Sequence, residues 1–231
     1  MAPKISFIIP VLNEAEIIAL SLSALQPLRS HGHEVIVVDG GSKDTSQTLS
    51  QPLADRVILG PQGRSRQMNA GARVASGEIL LFLHADTFLP KGADLLLISR
   101  MKQYGRVWGH FDVRLSGNHP LFRVIENLMN WRSRLFGIAT GDQGIFVGRE
   151  IFLAVGGFPE IDLMEDIALS RILKKVGPPL CLSQRVVTSS RRWEKNGILQ
   201  TVLLMWRLRL AYFLGTDPHD LARRYERLKS P

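Results

Sequence analysis

Short apolar segments alternate with amphipathic segments along the first 90 residues. Apolar runs typical of buried strands lie at residues 5–10, 34–38, 57–59 and 79–83. Residues 63–75 have a helical pattern, a short helix is predicted from Asp44-Thr45, and another follows Asn13, a residue able to cap a helix. Apolar strands separated by helices predict an α/β fold whose parallel sheet is covered on both faces.

The second half of the chain has a less regular pattern. It predicts short strands at residues 107–113 and 145–147, and helices at 120–136, 164–176 and 197–214. A last, basic helix is predicted from Asp217-Pro218, because a capping residue followed by proline is a common helix start.

Polar residues follow three of the predicted strands. Asn13-Glu14, Asp39 and Asp86 each come after the carboxyl end of an apolar run. Ligands of parallel sheets bind beyond these ends, so we expect the acids to gather along one rim. Asp39 suits hydrogen bonds to a ribose or a base, and aspartate is equally frequent in turns.

Asp86 ends the fourth apolar run, in the stretch EILLFLHADT. Its carboxylate suits a hard cation such as Mg²⁺ or Mn²⁺, whose other ligands are often diphosphate oxygens, and it equally suits a helix cap. His84 lies two residues earlier and on the same face if the strand continues. It is a second candidate ligand, better suited to Mn²⁺, or a hydrogen-bond partner of Asp86 or of a phosphate.

Charged residues also stand at two predicted helix starts. Glu165 and Asp166 open the helix at 164–176, where acids stabilise the helix dipole and where one of them can act as a general base. Arg64 and Arg66 stand near the start of the helix at 63–75. They can contact phosphate or base edges, or they can lie in a solvated loop.

Composition limits the class of protein. The chain has 231 residues, of which 45% are hydrophobic and 22% charged, typical of one globular domain. Its single cysteine, Cys181, excludes an internal disulfide and favours a reducing, cytoplasmic compartment. The first residues do not have the pattern of a signal peptide, and no segment reaches the ~20 apolar residues of a membrane span.

Positive charge is concentrated in the second half. Residues 1–90 hold 7 Lys and Arg against 8 Asp and Glu, whereas the rest of the chain holds 22 against 13. This favours an anionic partner: nucleic acid, a phosphorylated ligand or a membrane surface. The predicted helix at 197–214 is apolar nearly all round, so it is buried, or it meets the inner face of a membrane or a second copy in a homodimer.

Five motifs occur in an order that resembles the family 2 glycosyltransferases of the GT-A fold. They are SFIIPVLNEAE, VIVVDGGSKDTS, GRSRQMNAGA, ILLFLHADT and MED. LHADT together with GDQGIFV further resembles the arsenosugar-biosynthesis glycosyltransferase subgroup. The resemblance implies a Rossmann-like, mostly parallel central sheet flanked by helices, with C-terminal helices. It implies one domain over residues 1–231, with a nucleotide-sugar-binding half (1–90), an acceptor-binding half (91–190) and basic, apolar C-terminal helices (191–231).

The resemblance also implies a function. It is inverting transfer of a sugar from a nucleotide sugar, usually a UDP-sugar, to an acceptor hydroxyl of a small or lipid-like molecule, with a divalent cation. Asp166, beside Glu165, matches the catalytic base, and Asp86 matches the last acid of the metal motif. His84 replaces the first acid of that motif. The implied donor-binding residues are Pro10, Val11, Asn13, Glu14, Asp39, Arg64, Asn69, Ala85, Arg191 and Arg192.

Acceptor contacts are expected in the second half. The candidates are Trp108, Phe111, Arg114, Trp131, Asp142 and Gln143, each of which also suits an aromatic core, a surface charge or a strand end.

Three other functions compete with sugar transfer. A nucleotidyltransferase would carry a Gly-rich, Lys-bearing loop near the N-terminus, whereas SFIIPVLNEAE has neither residue. A nucleic-acid-binding protein would carry a recognised binding motif in its basic half, so we expect no nucleic acid partner. The third is a family member that binds nucleotide sugars without transferring the sugar, which the replacement at His84 suggests.

Overall fold

The structure is a computed structural model that describes residues 3–227, apart from the side chains of Arg192, Glu226 and Arg227. Its single sheet has eight strands within these residues. They are β1 (Ile5–Val11), β2 (Glu34–Asp39), β3 (Arg56–Leu59), β4 (Ile79–Phe82), β5 (Thr87–Phe88), β6 (Trp108–Leu115), β7 (Ile145–Gly148) and β8 (Leu180–Thr188). The strand order is β3-β2-β1-β4-β7-β6-β8-β5.

The first four strands form the parallel part of the sheet that the sequence predicts. β1 pairs in parallel with β2 and β4, and β2 with β3. Every residue of β1, β2 and β4 is buried, as the apolar runs predict. In β1, Phe7 and Ile9 pack into one core while Ile8 packs into another, so both faces of the sheet are covered.

The other half of the sheet is mixed. β7 runs antiparallel to β4, with Ile145 opposite Phe82, so the segment before β7 lies at the edge where β4 ends. β6 and β8 are parallel, and β5 runs antiparallel to β8. The sequence analysis missed β8, whose centre is exposed and polar at Ser183, Gln184 and Arg185.

The helices agree with the sequence pattern where that pattern is long. They are α1 (Ile18–Ala24), α2 (Gln26–Ser30), α3 (Ser46–Ser50), α4 (Arg64–Val74), α5 (Ala93–Tyr104), α6 (Pro120–Phe136), α7 (Arg149–Ala154), α8 (Glu165–Val176), α9 (Arg191–Asn196), α10 (Ile198–Phe213) and α11 (Pro218–Arg227). A 3-10 turn spans Gly141–Gln143. The sequence analysis missed α2, α5, α7 and α9. The expected cap at Asn13 is wrong, because α1 begins only at Ile18, and the Asn13 side chain instead accepts a hydrogen bond from the Lys43 N–H at 2.8 Å.

The C-terminal helices pack beside the start of α8. Leu208 of α10 and Leu221 and Tyr225 of α11 form a small core with Met164 and Ile167. This packing places α10 next to the Glu165–Asp166 pair. Within residues 3–227, no helix has both the length and the apolar character needed to cross a bilayer.

Candidate active site

A cleft of about 1120 Å³ opens at the edge of the sheet where β1 and β4 end. One wall comes from the parallel half: Pro10 and Val11 at the end of β1, Ala85 and Asp86 after β4, and Arg64 at the start of α4. The opposite wall comes from α6, α10 and the segment after β8. The cleft therefore lies where the parallel topology predicts a ligand.

Six of the ten predicted donor-binding residues line this cleft: Pro10, Val11, Glu14, Arg64, Ala85 and Arg191. Arg191 reaches across from α9 to the loop after β1. Its Nη1 lies 2.8 Å from Glu16 Oε2 and its Nη2 lies 3.6 Å from Glu14 Oε2. Arg192 belongs to the same helix, and its side chain lies outside the described part of the structure.

Asn13, Asp39 and Asn69 do not line the cleft. Asp39 is buried, and its Oδ1 accepts hydrogen bonds from the N–H groups of Gly41 and Ser42 and from the Ser42 hydroxyl, so it shapes the turn after β2. Asn69 donates to the Phe158 carbonyl and accepts from the Phe158 N–H, both at 2.9 Å. Asn13 joins the loops after β1 and β2. These hydrogen bonds shape the loops around the cleft, and the donor contacts of the three residues stay predictions.

Asp86 and His84 differ in how they meet the cleft. Asp86 lies on the wall, partly exposed, and its carboxylate accepts no hydrogen bond within the described chain. His84 has Nδ1 3.2 Å from Asp142 Oδ1, and its Nε2 packs against Gly141, where a Cβ would overlap the imidazole. Within residues 3–227, no cluster of three or more His, Cys, Asp or Glu side chains could hold a metal. Asp86 is thus an accessible carboxylate on the cleft wall, whereas Asp142 and Gly141 hold the imidazole of His84.

Glu165 and Asp166 lie together in the first turn of α8, after Met164 in a left-handed conformation with φ 70°. Asp166 accepts hydrogen bonds from the Gly141 N–H at 2.9 Å and from the Ile167 N–H at 2.7 Å. These bonds fix the orientation of its carboxylate. Asp166 shares a small side pocket with His84, Gly141 and Glu165, whereas Glu165 and His84 also line the main cleft.

The pKa of Glu165 is strongly shifted. Burial and the neighbouring Asp166 carboxylate raise the pKa of Glu165 to about 7, although the Arg64 guanidinium favours its charged form. Loss of hydration works against the charge of Arg64, yet the nearby acids, Glu165 first among them, raise its pKa. Glu165 and Arg64 are therefore electrostatically linked across the cleft. Shifted pKa values of this kind are concentrated at functional sites.

Comparison with known proteins identifies the family. The description "Glycosyl transferase family 2" matches residues 6–153, which is more than half of the chain. This protein belongs to glycosyl transferase family 2. The match begins in β1 and continues through α7, so it includes the parallel half of the sheet and Asp86. The predicted resemblance to this family is confirmed, and the likeness to the arsenosugar-biosynthesis subgroup stays a prediction.

Relatives of this family 2 member match it over parts of their length. The probable glycosyltransferase YdaM of Bacillus subtilis is 27% identical over 93% of this chain and 56% of its own. The GalNAc(5)-diNAcBac-PP-undecaprenol beta-1,3-glucosyltransferase of Campylobacter jejuni is 30% identical over 50% of this chain and 40% of its own. The chain thus spans about half the length of these curated relatives.

Solved structures confirm the GT-A fold. The mannosyltransferase PcManGT of Pyrobaculum calidifontis, in complex with GDP-Man and Mn²⁺, has a TM-score of 0.66 and 22% identity, and the match covers 99% of this chain and 70% of that one. S. aureus TarS has a TM-score of 0.66 and 18% identity over 81% of this chain and 60% of that one. At sequence identities of 18% and 22%, the structural likeness shows the fold alone.

Two of the six acceptor candidates of this family 2 member line the cleft, Trp131 and Asp142. Trp108 and Phe111 are fully buried in the core, so their assignment to the acceptor is wrong. Gln143 is also buried, and its Oε1 accepts hydrogen bonds from the Thr140 N–H and the Ser133 hydroxyl. Arg114 is exposed on β6 and does not line the cleft.

Sequence reasoning missed several charged residues of the cleft, among them Arg132 on α6 and Arg209 on α10. Both lie within largely apolar helical stretches, NLMNWRSRLF and LLMWRLRLAYF. Burying an arginine among apolar residues costs free energy unless its guanidinium faces a polar site or solvent. The position of each arginine in its stretch could therefore have indicated a polar site.

Proposed function

We propose that this family 2 member transfers a sugar from a nucleotide-sugar donor, with a UDP-sugar as first choice, to an acceptor hydroxyl with inversion. The observation that carries this proposal is the shared cleft. It holds Asp86 and Glu165 at the edge of the sheet where β1 and β4 end, and Asp166 lies in a small side pocket that Glu165 and His84 also line. Two structural neighbours support a nucleotide-sugar donor, since PcManGT was solved with GDP-Man and TarS with UDP.

Each charged group has a distinct part in the proposed reaction. Asp166, oriented by the Gly141 N–H, takes the proton from the acceptor hydroxyl as that hydroxyl attacks the anomeric carbon. The nucleoside diphosphate leaves from the opposite face of the sugar, toward Asp86 and Arg64. Glu165 is the second candidate for the base, because it lines the cleft and its pKa lies at about 7.

Donor screening tests the proposal. Thermal unfolding should be measured with UDP-, GDP- and dTDP-sugars, with and without Mn²⁺. A donor at 100 times its Kd should stabilise the protein by about 2.7 kcal/mol. The product must be a nucleoside diphosphate, whereas pyrophosphate released from a nucleoside triphosphate would indicate a nucleotidyltransferase. Binding without any product would indicate the non-catalytic alternative.

A divalent cation, Mn²⁺ or Mg²⁺, fits the cleft when the donor is present. Asp86 supplies one accessible carboxylate, and magnesium-type sites often combine one or two carboxylates with substrate phosphate oxygens. Such a cation would neutralise negative charge on the leaving diphosphate. His84 is a poorer ligand in this conformation, because its Nδ1 faces Asp142 and its Nε2 faces Gly141.

Replacing Asp86 by Ala should remove the Mn²⁺-dependent part of donor binding. We expect donor affinity in Mn²⁺ to fall by about tenfold or more, since even outer-shell partners of a metal contribute that much. Donor affinity without metal should stay at the wild-type value. Isothermal titration with and without Mn²⁺ measures both quantities, and Asp220→Ala on exposed α11 is the control. Unchanged affinity in Mn²⁺ would show that Asp86 is not a metal ligand.

We also propose that the three segments predicted from the sequence have separate roles within one domain. Residues 1–90 supply the donor wall, residues 91–190 supply α6 and the Glu165–Asp166 pair, and residues 191–231 supply the C-terminal helices. The cleft between them is lined by all three segments.

The outer face of α10 supports peripheral attachment to an anionic membrane, at the cytoplasmic face. Leu199, Leu203, Leu210 and Phe213 form one exposed stripe and are 53–67% exposed, with Trp206 where this stripe borders the cleft. Arg207 is exposed beside Leu203 and Leu210, so the stripe carries a positive charge suited to acidic lipid head groups.

Vesicle binding tests this attachment. The protein should co-sediment with phosphatidylglycerol vesicles at low salt and be released at high salt, and the double variant Leu203→Ser, Leu210→Ser should bind at least fivefold less. Leu95→Ser on exposed α5 is the matched control. Failure to bind anionic vesicles would remove the membrane assignment, and a concentration-dependent dimer broken by the same double variant would replace it with a homodimer.

A further inference from the structure

Two arginines on the helical wall of the cleft form no ion pair with the described residues of the chain. Arg132 of α6 and Arg209 of α10 are half-buried and both line the cleft. The Nε atom of each is buried without a hydrogen-bond partner in the described chain. Arg132 donates one hydrogen bond, from Nη2 to the Ser133 hydroxyl at 3.2 Å. Within residues 3–227, neither guanidinium has a carboxylate at ion-pair distance.

The local structure holds both side chains in the cleft. On α6, Ile125, Met129, Arg132 and Phe136 follow helical spacing along the face that lines the cleft. On α10, Leu208 is buried against Met164 and Ile167, so the next residue, Arg209, is held close to the Glu165–Asp166 pair. The two arginines therefore arise from separate helices that converge near the proposed base.

Their charge is costly in this position. Loss of hydration and the repulsion of Arg209 lower the pKa of Arg132 to about 10, although Asp166 and Asp142 attract it. Burial likewise lowers the pKa of Arg209 against the attraction of the same two acids. Charges that lose hydration without gaining an ion-pair partner are destabilising, and an anion bound between the two guanidinium groups would offset that cost.

Arg132 and Arg209 lie on the wall of the cleft opposite the proposed donor site. Arg64 and Asp86 belong to the wall formed by α4 and the end of β4, whereas Arg132 and Arg209 belong to the opposite, helical wall. In the proposed inverting transfer, the acceptor approaches from the face opposite the leaving diphosphate. The arginine pair thus lies on the acceptor side.

The rest of the helical wall is apolar. Its side chains include Ile125, Leu128, Met129, Val202, Met205 and Trp206. A ligand that fills this side would therefore place an apolar portion along α6 and α10 and a negative group at the arginines. A ligand with both features is an anionic amphiphile, in which a negative group is joined to an apolar portion.

We propose that Arg132 and Arg209 bind a phosphate or carboxylate group of an amphiphilic acceptor, whose apolar portion packs against α6 and α10. The identification of the ligand as the acceptor rests on the proposed function. The binding of an anion by the two arginines does not depend on it. In this proposal the arginine pair selects an acceptor that carries a negative group.

Decyl phosphate is a suitable probe below its micellar concentration. Isothermal titration should give a Kd at least tenfold lower for decyl phosphate than for inorganic phosphate or for uncharged decyl maltoside. Arg132→Gln and Arg209→Gln should each weaken decyl phosphate binding by about 10- to 100-fold, the usual effect of losing charge-assisted hydrogen bonds. Arg209→Lys, which keeps the charge and loses the planar fork, should weaken it less than Arg209→Gln.

Matched measurements keep the test decisive. Arg100→Gln on α5, which does not line the cleft, should bind decyl phosphate like the wild type. Stabilisation by the nucleoside diphosphate identified in the donor screen should survive in both glutamine variants. Loss of that stabilisation would assign the arginines to the donor diphosphate and overturn the proposal, and so would equal affinity for decyl phosphate and inorganic phosphate. If no nucleotide sugar binds but decyl phosphate binding depends on both arginines, the anion site stands and the proposed transfer fails.

Discussion

Replacing Asp166 by Asn should lower the rate of sugar transfer by about 100- to 10,000-fold, the usual contribution of a general base. Asparagine keeps an oxygen that can accept the hydrogen bond from the Gly141 N–H, so the geometry of the site should survive. Donor affinity should therefore stay within about twofold of the wild type, because the base acts on the acceptor. Single-turnover rates at saturating donor and donor titrations of the same variant measure the two effects separately.

The adjacent acid makes the experiment discriminating. Glu165→Gln removes the other candidate base while leaving Asp166 in place. If Asp166→Asn transfers sugar at the wild-type rate and Glu165→Gln does not, Glu165 is the base. Equal loss in both variants would mean that the carboxylates act as a coupled pair, as neighbouring acids with interacting titrations can.

Replacing Glu165 by Gln should stabilise the protein at high pH. The pKa of Glu165 is raised to about 7 in the folded state by burial and by Asp166, above the usual value of a glutamate. The wild type therefore loses stability as pH rises from about 4.5 to about 7, because folding opposes ionisation of this group, and the full cost is present above pH 7. Linkage of this shift gives a cost of about 3 kcal/mol at pH 8.

Urea unfolding at pH 5 and pH 8 checks this expectation. The difference in free energy of unfolding between Glu165→Gln and wild type should be larger at pH 8 by about 2 kcal/mol. Glu150→Gln, an exposed acid on α7, should show no such change with pH. A difference that is the same at both pH values would mean that Glu165 ionises with an ordinary pKa. The cost at pH 8 is consistent with an acid placed for function at the expense of stability.

The parallel half of the fold was readable from local patterns. Buried parallel strands are apolar on both faces, so the runs ending near Val11, Asp39 and Phe82 were visible without a partner strand. β8 was missed because its centre carries exposed polar residues next to a shift in its register with β6. Pairing of that kind depends on neighbours more than 60 residues away, which a local pattern does not contain.

The residues of the candidate site could be predicted only in part from the sequence. Asp86 and Arg64 were expected at the ends of elements and do line the cleft. Asn69 lies at a plausible position along the chain, but folding turns its amide toward the Phe158 backbone. Arg132 and Arg209 escaped notice because 76 residues separate them, and each belongs to a helix whose pattern suggests apolar packing.

Local sequence patterns were enough to predict the family, the parallel strands and the acids at strand ends. Each of these features depends on residues that are close together in the chain. The tertiary structure decided which side chains share the cleft. It turned Asp39 and Asn69 toward backbone groups, and it brought α6 and α10 together along one wall of the cleft. The physical reason is that orientation and long-range proximity depend on how the helices pack on the sheet, and that packing is set by contacts between distant segments.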